Sequence, residues 1–442
     1  MRFKTKIAVV VFSTLIAFYA IVGSFMSKST NVVARGSQYG QISIFDEVLS
    51  HIIRDYVEQP DLEKVRIGSL RGLAEGLDPY SAYLTPEQVK QYDPKASRAE
   101  TGMILSKVGG YGYVVAVLKG SPADQLGIKA GDFIEYVGKV PSRDLSLYDI
   151  DQLVNGQAGT TIDLRVLHQG QSHKLTVTRA KLTQPAVESR IDEPGVGYIK
   201  VTSFTDGKAA EVKSAVSELT AKGAQKIVLD LRGAANGKMQ EGVAVANLFM
   251  GSGTLARTLG KGDKEIQSFT ADAAKTVFTG PLIVVIDHST AGPAEIVAAA
   301  VRDQKRGELV GEKTFGTGSD QQLFSLTDGG ALLLTTAKYA PASGKAFMEE
   351  PIAPTVKVER IVETETILPD TDDDDDADKP EQQQQPQAAP VKPPQPVEDV
   401  QLKKAFELIK QAPAKGAAAQ KRAAAAQAPA AIDSAYADRM AT

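Results

Sequence analysis

Strand-like and helix-like segments alternate from Val187 to about Val358, and this alternation limits the fold more than any other feature. Apolar runs such as KIVLDLRG and PLIVVIDHS alternate with amphipathic patterns such as KAAEVKSAVSELTAKG and AEIVAAAVRDQK. Parallel strands need long crossover connections, which helices usually supply. The pattern therefore predicts a mixed or parallel sheet covered by helices over residues 187–358.

Two further regions precede this core. Residues 41–98 have a helical pattern, in which Ile44, Val48 and Ile52 recur at steps of four residues. Residues 99–183 alternate short strands with tight turns and include a hairpin around Gln169 and Gly170, which is typical of a separate small domain. The predicted fold class is thus a multidomain α+β and α/β chain.

The N-terminus predicts a membrane helix. Basic residues precede residues 7–26, which carry no charge and are long enough to cross a bilayer. We expect residues 1–30 to be an uncleaved signal-anchor, with Val22-Gly23-Ser24 as a weak alternative cleavage site. Because positive flanks stay inside, the body is expected in the periplasm or outside the cell, and secreted if the signal is cleaved.

Composition excludes several kinds of site. The chain has no cysteine, so thiol catalysis, disulfides and cysteine-based zinc sites are excluded. Its four histidines lack ligand spacing, and a net charge of −4 without a basic face argues against nucleic acid. We therefore predict no metal and no cofactor, and interpret the aspartates at 372–376 as a solvated charge run.

The C-terminal tail, residues 359–442, is rich in Asp, Gln, Pro and Ala and is predicted to be disordered. One segment, EDVQLKKAFELIKQA at 398–412, has leucines and Phe406 at helical spacing. It predicts a short helix, which either docks on the core or stays solvated. The solvated helix is the preferred interpretation.

An ordered set of motifs resembles the carboxyl-terminal processing peptidases, which are tail-specific serine proteases with a PDZ domain. YVEQPDLEKVRIGSLRGLAEGLDPYSAYLTPEQ resembles their N-terminal helical segment, and KGSPADQLGIKAGDFIEYVGK resembles their PDZ domain. KIVLDLRG, AEIVAAAVRDQKRGELVGEKTFGTGSDQQ and GGALLLTTAKYAPASGKAF resemble their protease core in order and spacing. The likeness covers about residues 41–358.

The resemblance implies a serine nucleophile activated by a lysine base, yet both positions are substituted. Matching Glu295-Ile296 to the end of the family's serine motif places Gly292 at the nucleophile position. Matching Thr314-Phe315-Gly316 to the lysine motif places Thr317 at the base position. Gln321 matches the glutamine that orients the lysine, and Asp303 matches the family's helix aspartate.

The turn that helps to bind the oxyanion in this family is also altered. The family has Asp-Leu-Arg-Gly-Asn-Pro-Gly-Gly, whereas this chain has DLRGAANG at residues 230–237. Gly233 retains the position of one amide donor, but the turn geometry that aims the donors is in doubt. The chain is therefore identified as a family member with the features of a pseudoenzyme.

A displaced nucleophile is the open alternative. Ser289 and Lys313 resemble a shifted serine–lysine pair, and Thr290 is a second candidate nucleophile. The preferred interpretation of Ser289 and Thr290 is that they cap the N-terminus of the following helix.

The PDZ domain is expected to bind a peptide C-terminus by strand addition. The loop expected to hold the terminal carboxylate is Thr101, Gly102, Met103, Ile104 and Leu105. Met103 and Ile104 are expected to form the groove floor, and Leu153 or Val154 the opposite wall.

Together these features predict a membrane-anchored, extracytoplasmic homologue of the processing peptidases that binds C-terminal or unfolded segments without cleaving them. It would act as a scaffold, a decoy or a regulator, alone or in oligomers with itself or with active relatives. One alternative is an active endopeptidase with a displaced nucleophile. The other is a structural envelope protein that acts through its tail.

Overall fold

The computed structural model describes residues 12–14, 18, 38–93, 98–360 and 398–413, in two compact units, Met1–Leu70 and Arg71–Thr442. Most of the predicted membrane segment, residues 7–26, lies outside the described residues. Within the described part of the chain, none of the helices is both long enough and apolar enough to cross a bilayer.

The first unit contains helix α1 (Gln38–Asp55) and the start of α2 (Leu62–Glu75). The predicted helical pattern is present. However, Ile44, Val48 and Ile53 are more than half exposed instead of packed, so the described residues leave this apolar stripe uncovered.

The small domain of the second unit is built on a six-stranded antiparallel sheet, with strand order β2-β3-β4-β6-β7 and β5 paired to β4. The hairpin turns at Gln169 (φ 47°) and Gly170 (φ 87°), both left-handed as a two-residue hairpin loop requires. The elements are β2 (Met103–Val108), β3 (Tyr111–Val117), α4 (Pro122–Gln125), β4 (Phe133–Val137), β5 (Val140–Pro141), α5 (Leu147–Val154), β6 (Thr161–His168) and β7 (Gln171–Thr178).

The larger domain has the mixed sheet that the sequence predicts. Its order is β17-β14-β13-β10-β9-β8, and every pairing is parallel except β8 with β9. Helices α6, α7 and α8 bury one face of this sheet. The elements are β8 (Glu188–Glu193), β9 (Val196–Lys200), α6 (Lys208–Ala221), β10 (Lys226–Asp230), α7 (Met239–Phe249), β13 (Leu282–Ile286), α8 (Pro293–Asp303), β14 (Glu308–Gly311) and β17 (Val356–Lys357).

A second sheet is not apparent in the sequence. Its order is β1-β16-β11-β12, with β15 also paired to β16. Strand β1 belongs to the segment 41–98, which the periodicity predicts to be helical, yet Ala82 pairs with Leu333. A three-residue strand is too short to show a period, and its partner is remote in sequence. The elements are β1 (Ala82–Leu84), α3 (Pro86–Gln91), β11 (Thr254–Leu259), β12 (Glu265–Thr270), β15 (Ser319–Ser325) and β16 (Ala331–Ala340).

The helix within the predicted tail is docked, which corrects the solvated interpretation. Helix α9 (Val400–Gln411) covers the second face of the larger sheet, where Ala405 and Ile409 are fully buried and Phe406 is partly buried. They pack against Val228, Val285 and neighbouring apolar side chains that point away from α6–α8. An apolar sheet face needs a cover, and α9 supplies it.

The docked state of α9 is testable by stability. Replacing the buried Ile409 by alanine is expected to lower the free energy of unfolding by about 2–4 kcal/mol, because it opens a cavity under the helix. The control is Lys403→Ala on the same helix, which removes only an exposed ion pair with Glu398 and should cost less than about 0.5 kcal/mol. Equal effects of the two substitutions in denaturant titrations would show that α9 does not pack on the sheet.

Candidate active site

A sharp strand-to-helix turn leads from β13 to α8. Gly292 precedes the helix with φ 57° and ψ −116°, and Pro293 begins the first turn. A side chain at such an elbow projects from the crest of the turn, which is where many hydrolases hold a nucleophile. Only glycine adopts this conformation without strain, so the elbow is present but carries no side chain.

The two positions that the family motifs assign to the dyad lie together in space. A Cβ atom placed on Gly292 would be 3.4 Å from Thr317 Oγ1 and 3.9 Å from Met239 Sδ. Both distances are ordinary van der Waals contacts, so a small side chain fits at the elbow. The two positions are therefore in contact, and the residues there are a glycine and a threonine instead of the serine and lysine of the family motifs.

Glu295 joins the elbow to the loop that carries Thr317. Its fully buried carboxylate accepts hydrogen bonds from the N–H groups of Gly292 (2.9 Å), Gly316 (3.0 Å) and Thr317 (2.8 Å). The Thr314 hydroxyl donates a fourth, at 2.5 Å. Burial raises the pKa of Glu295 to about 7, while these four donors favour the ionised form. Glu295 is the third residue of α8, and a glutamate at this position of a helix is the sequence signal for capping.

Ser289 and Thr290 are not helix caps, because Gly292 occupies that position. Ser289 Oγ donates to Asp287 Oδ1 (2.6 Å) and accepts the Gly233 N–H (2.9 Å). Thr290 Oγ1 accepts the Asp287 N–H at 3.0 Å. Both hydroxyls therefore fix the turn between strand and helix, a role that the sequence analysis missed because it assigned both residues to a helix cap.

Lys313 does not complete a displaced dyad in this geometry. Its side chain is exposed, and no hydrogen bond joins it to Ser289. Within the ranges that the structure describes, no three His, Asp or Glu side chains are grouped so that they could hold a metal ion.

The Gly233 amide is present at the expected place but is already engaged. Gly233 has φ 79°, and its N–H donates to Ser289 Oγ. At the far end of the turn, Gly237 (φ 114°) packs so closely that a Cβ would lie 2.2 Å from the Phe204 carbonyl oxygen. The turn is thus anchored at both ends despite the substitutions at Ala234, Ala235 and Asn236.

Gln321 and Asp303 support the fold around the site. Gln321 Nε2 donates to Ser319 Oγ (2.7 Å) and to Thr335 Oγ1 (3.3 Å). Asp303 ends α8, about 16 Å along the helix axis from Gly292, and accepts hydrogen bonds from Ser343. Of the residues predicted around the dyad, the structure therefore brings together Gly292 and Thr317 but not Asp303.

Tyr80 borders the site, and the sequence analysis did not single it out. Its hydroxyl lies 3.3 Å from Ser106 Oγ on β2 and also interacts with the Thr317 side chain. Burial raises the pKa of Tyr80, so it remains a neutral phenol. The residue connects the base position with the small domain.

Aromatic residues of the small domain pack against the same loop. Tyr113 stacks on Phe315, with ring centroids 5.6 Å apart, and His288 contacts both rings edge-on. Tyr113, Val115 and Ala291 form a buried cluster with them. The two domains therefore meet directly at the elbow and the Thr314–Thr317 loop.

The predicted peptide loop has the features of a constrained turn. Gly102 has φ 91°, and a Cβ there would lie 2.1 Å from Ser121 Cβ. Strand β2 is at the edge of its sheet, with α5 beside it. Met103 and Leu105 pack into the small domain, whereas Ile104 packs toward Phe315 and so does not form the groove floor.

Of the two residues predicted to form the groove wall opposite β2, one is accessible and the other is buried. Leu153 is 39% exposed, whereas Val154 is fully buried in the domain core. Thr101 is buried, and its hydroxyl has no hydrogen-bond partner among the residues that the structure describes. Leu153 is thus the apolar side chain of this pair that a peptide can reach.

Comparison with known proteins fixes the family. Residues 195–358 match Peptidase family S41, and residues 113–167 match a PDZ domain. The chain is 31% identical over 368 residues to the carboxy-terminal processing protease CtpA of Bacillus subtilis (strain 168), covering 81% of this chain and 78% of that protein. It is also 32% identical over 314 residues to the carboxyl-terminal-processing protease of Synechocystis, covering 67% and 73%. The chain belongs to the carboxyl-terminal processing peptidases.

A solved relative has the same fold. The photosystem II D1 C-terminal processing protease superposes with a TM-score of 0.62 at 25% identity, over 74% of this chain and 88% of that one. The PDZ domain and the mixed-sheet core predicted from the sequence are thus confirmed.

The buried carboxylate generates a pH prediction. Because the pKa of Glu295 rises from 4.5 to about 7 on folding, the folded state holds the proton more tightly between these values. Glu295 therefore makes its full contribution to the free energy of unfolding below pH 4.5. That contribution falls by about 3 kcal/mol as the pH rises from 4.5 to 7. Subtracting the stability curve of Glu295→Gln from that of the unmodified chain should reveal this slope.

The matched control is Glu241→Gln, because Glu241 also accepts backbone N–H groups, from Gly207 and Ala209, but lies outside the site. Parallel curves for the unmodified chain and Glu295→Gln across pH 4.5–7 would contradict the assignment.

Proposed function

We propose that this chain is a peptide-binding homologue of the processing peptidases that has lost proteolysis. The main support for the loss of proteolysis is the contact between the two dyad positions, because a Cβ on Gly292 would lie 3.4 Å from Thr317 Oγ1. Glycine has no group that attacks a carbonyl, and a threonine hydroxyl is not a base near neutral pH.

The remaining hydroxyls near the elbow support the same proposal. A serine nucleophile needs a base within hydrogen-bond reach. Ser289 Oγ instead donates to Asp287 and accepts the Gly233 N–H, the donor that an oxyanion would need. While Ser289 Oγ accepts the Gly233 N–H, that N–H cannot bind an oxyanion. Ser289 therefore cannot attack a carbonyl with Gly233 as the oxyanion donor.

Proteolysis is the direct test. Full-length protein is expected to leave an unstructured protein substrate with a free carboxyl end intact, and Ser289→Ala is expected to change nothing. The double variant Gly292→Ser/Thr317→Lys restores both reactive groups on a preserved frame and is expected to cut. Gel electrophoresis and mass spectrometry of the products measure the outcome.

The single variants Gly292→Ser and Thr317→Lys are the controls, since each restores half of the dyad. Cleavage by the unmodified chain that disappears in Ser289→Ala would overturn the proposal and favour an active endopeptidase with a displaced nucleophile.

For the binding partner we propose C-terminal or unfolded peptide segments held by the PDZ domain. Support comes from the edge position of β2, the tight Gly102 turn and the exposed Leu153 on α5. Edge strands offer unpaired backbone groups, so an extended peptide can add to β2. A scaffold, decoy or regulator of active relatives, anchored by residues 7–26 outside the cytoplasm, is the role that fits these features.

Peptide binding is expected to depend on the terminal carboxylate. A fluorescent peptide with a free carboxyl end should bind the full-length chain, and its C-terminal amide should bind at least about tenfold more weakly, because the loop amides lose a charged acceptor. Leu153→Asp should also weaken binding, whereas Val140→Asp, at an exposed position on β5, should not. Equal anisotropy curves for acid and amide would contradict carboxylate recognition.

A further inference from the structure

Helix α9 contacts the chain immediately after β10, at the start of the turn that carries Gly233. Asp399 caps α9 by accepting the Leu402 N–H and also accepts two hydrogen bonds from Arg232, both at 2.8 Å. Gln401 Oε1 accepts a third, at 3.2 Å. A helix more than 160 residues later in sequence therefore holds Arg232.

Arg232 is shared between this helix and the sheet. Its Nε and Nη2 donate to the fully buried Asp230 carboxylate at 2.9 and 2.7 Å, and Tyr198 donates to the same carboxylate. Burial raises the pKa of Asp399, but the hydrogen bonds from Arg232 and the Leu402 N–H outweigh it and lower the pKa overall. Asp230, Arg232, Asp399 and Gln401 form what we term the Arg232 network. Removing one carboxylate leaves the buried guanidinium with one of its two carboxylate partners.

The network continues into the site through the backbone. Arg232 is followed directly by Gly233, whose N–H bonds Ser289 Oγ at the elbow. The other end of the turn is held independently, because Phe204 N–H bonds the Asn236 carbonyl. The position of the Gly233 amide thus depends on Arg232 at one end and on Phe204 at the other.

Helix α9 is also attached separately from the rest of the core. It lies on the sheet face opposite α6–α8, in its own cluster of buried side chains. Its first turn returns beside the end of β17, where Gln401 Nε2 donates to the Val358 carbonyl. Because the two clusters are separate, undocking of α9 does not require the main core cluster to unfold.

We propose that α9 is a built-in clamp on the site: docked through Asp399 and Arg232, it fixes the Gly233 turn, and its release loosens that turn. Asp399 is accordingly a positioning residue that acts through Arg232. The clamp does not depend on peptide binding by the PDZ domain, so failure of either proposal is distinguishable from failure of the other.

Hydrogen exchange of the full-length chain, read by mass spectrometry, tests the clamp. Asp399→Ser keeps a side-chain oxygen for the helix cap but removes the pair with Arg232. We expect exchange in residues 231–237 to become about tenfold faster, while α9 itself stays protected. Asp399→Ala, which also loses the cap, should speed exchange in both α9 and the turn.

Glu398→Gln is the matched control, because it removes the exposed pair with Lys403 one residue away and leaves the Arg232 network intact. Strand β13 at the centre of the sheet should stay protected in every variant. Unchanged exchange of the turn when α9 exchanges freely would overturn the clamp. So would equal loosening by Glu398→Gln, or loss of protection in β13, which would make Asp399 a general support of the fold.

Discussion

The buried carboxylate of Glu295 is the interaction on which the site depends. It accepts hydrogen bonds from both sides of the site, Gly292 at the elbow and Thr314, Gly316 and Thr317 on the facing loop. Without it, four donors would lose their buried acceptor, and each buried donor left unpaired costs free energy. Glu295 therefore fixes the spacing between the elbow and the loop. Because Glu295 is not a nucleophile or its base, this spacing does not depend on which residues stand at positions 292 and 317.

The positions that differ from the family motifs are Gly292, Thr317 and residues 234–236, and the segments that carry them are held by close contacts and hydrogen bonds. Gly292 keeps a conformation that strains any other residue, and Gly237 keeps a contact that no side chain permits. Ser289 fills the amide that an oxyanion would use. The relatives show the family and the fold, and the proposal that proteolysis is lost rests on the residues at positions 292 and 317.

Segments remote in sequence converge on this frame. Tyr113 of the PDZ domain stacks on Phe315, Tyr80 lies between Ser106 and Thr317, and Asp399 of the C-terminal helix holds Arg232. Each contact reaches a different part of the site: the loop, the base position and the turn at Gly233. Because packed elements shift as units, a change in the PDZ domain or in α9 is transmitted to the loop or the turn that it touches.

The sequence by itself determined the PDZ domain and the mixed sheet with its covering helices, because periodicity and local motifs depend on neighbouring residues. Its assignment of Gly292 and Thr317 to the dyad positions stays a prediction. It missed the pairing of β1 with β16, the docking of α9 and the roles of Glu295, Ser289 and Tyr80. It also assigned Ser289 to a helix cap and placed Ile104 in the peptide groove. Those features rest on contacts between residues far apart in the chain and on which face of an element is buried. Only the tertiary structure decides them, since burial and long-range pairing arise when the elements pack together.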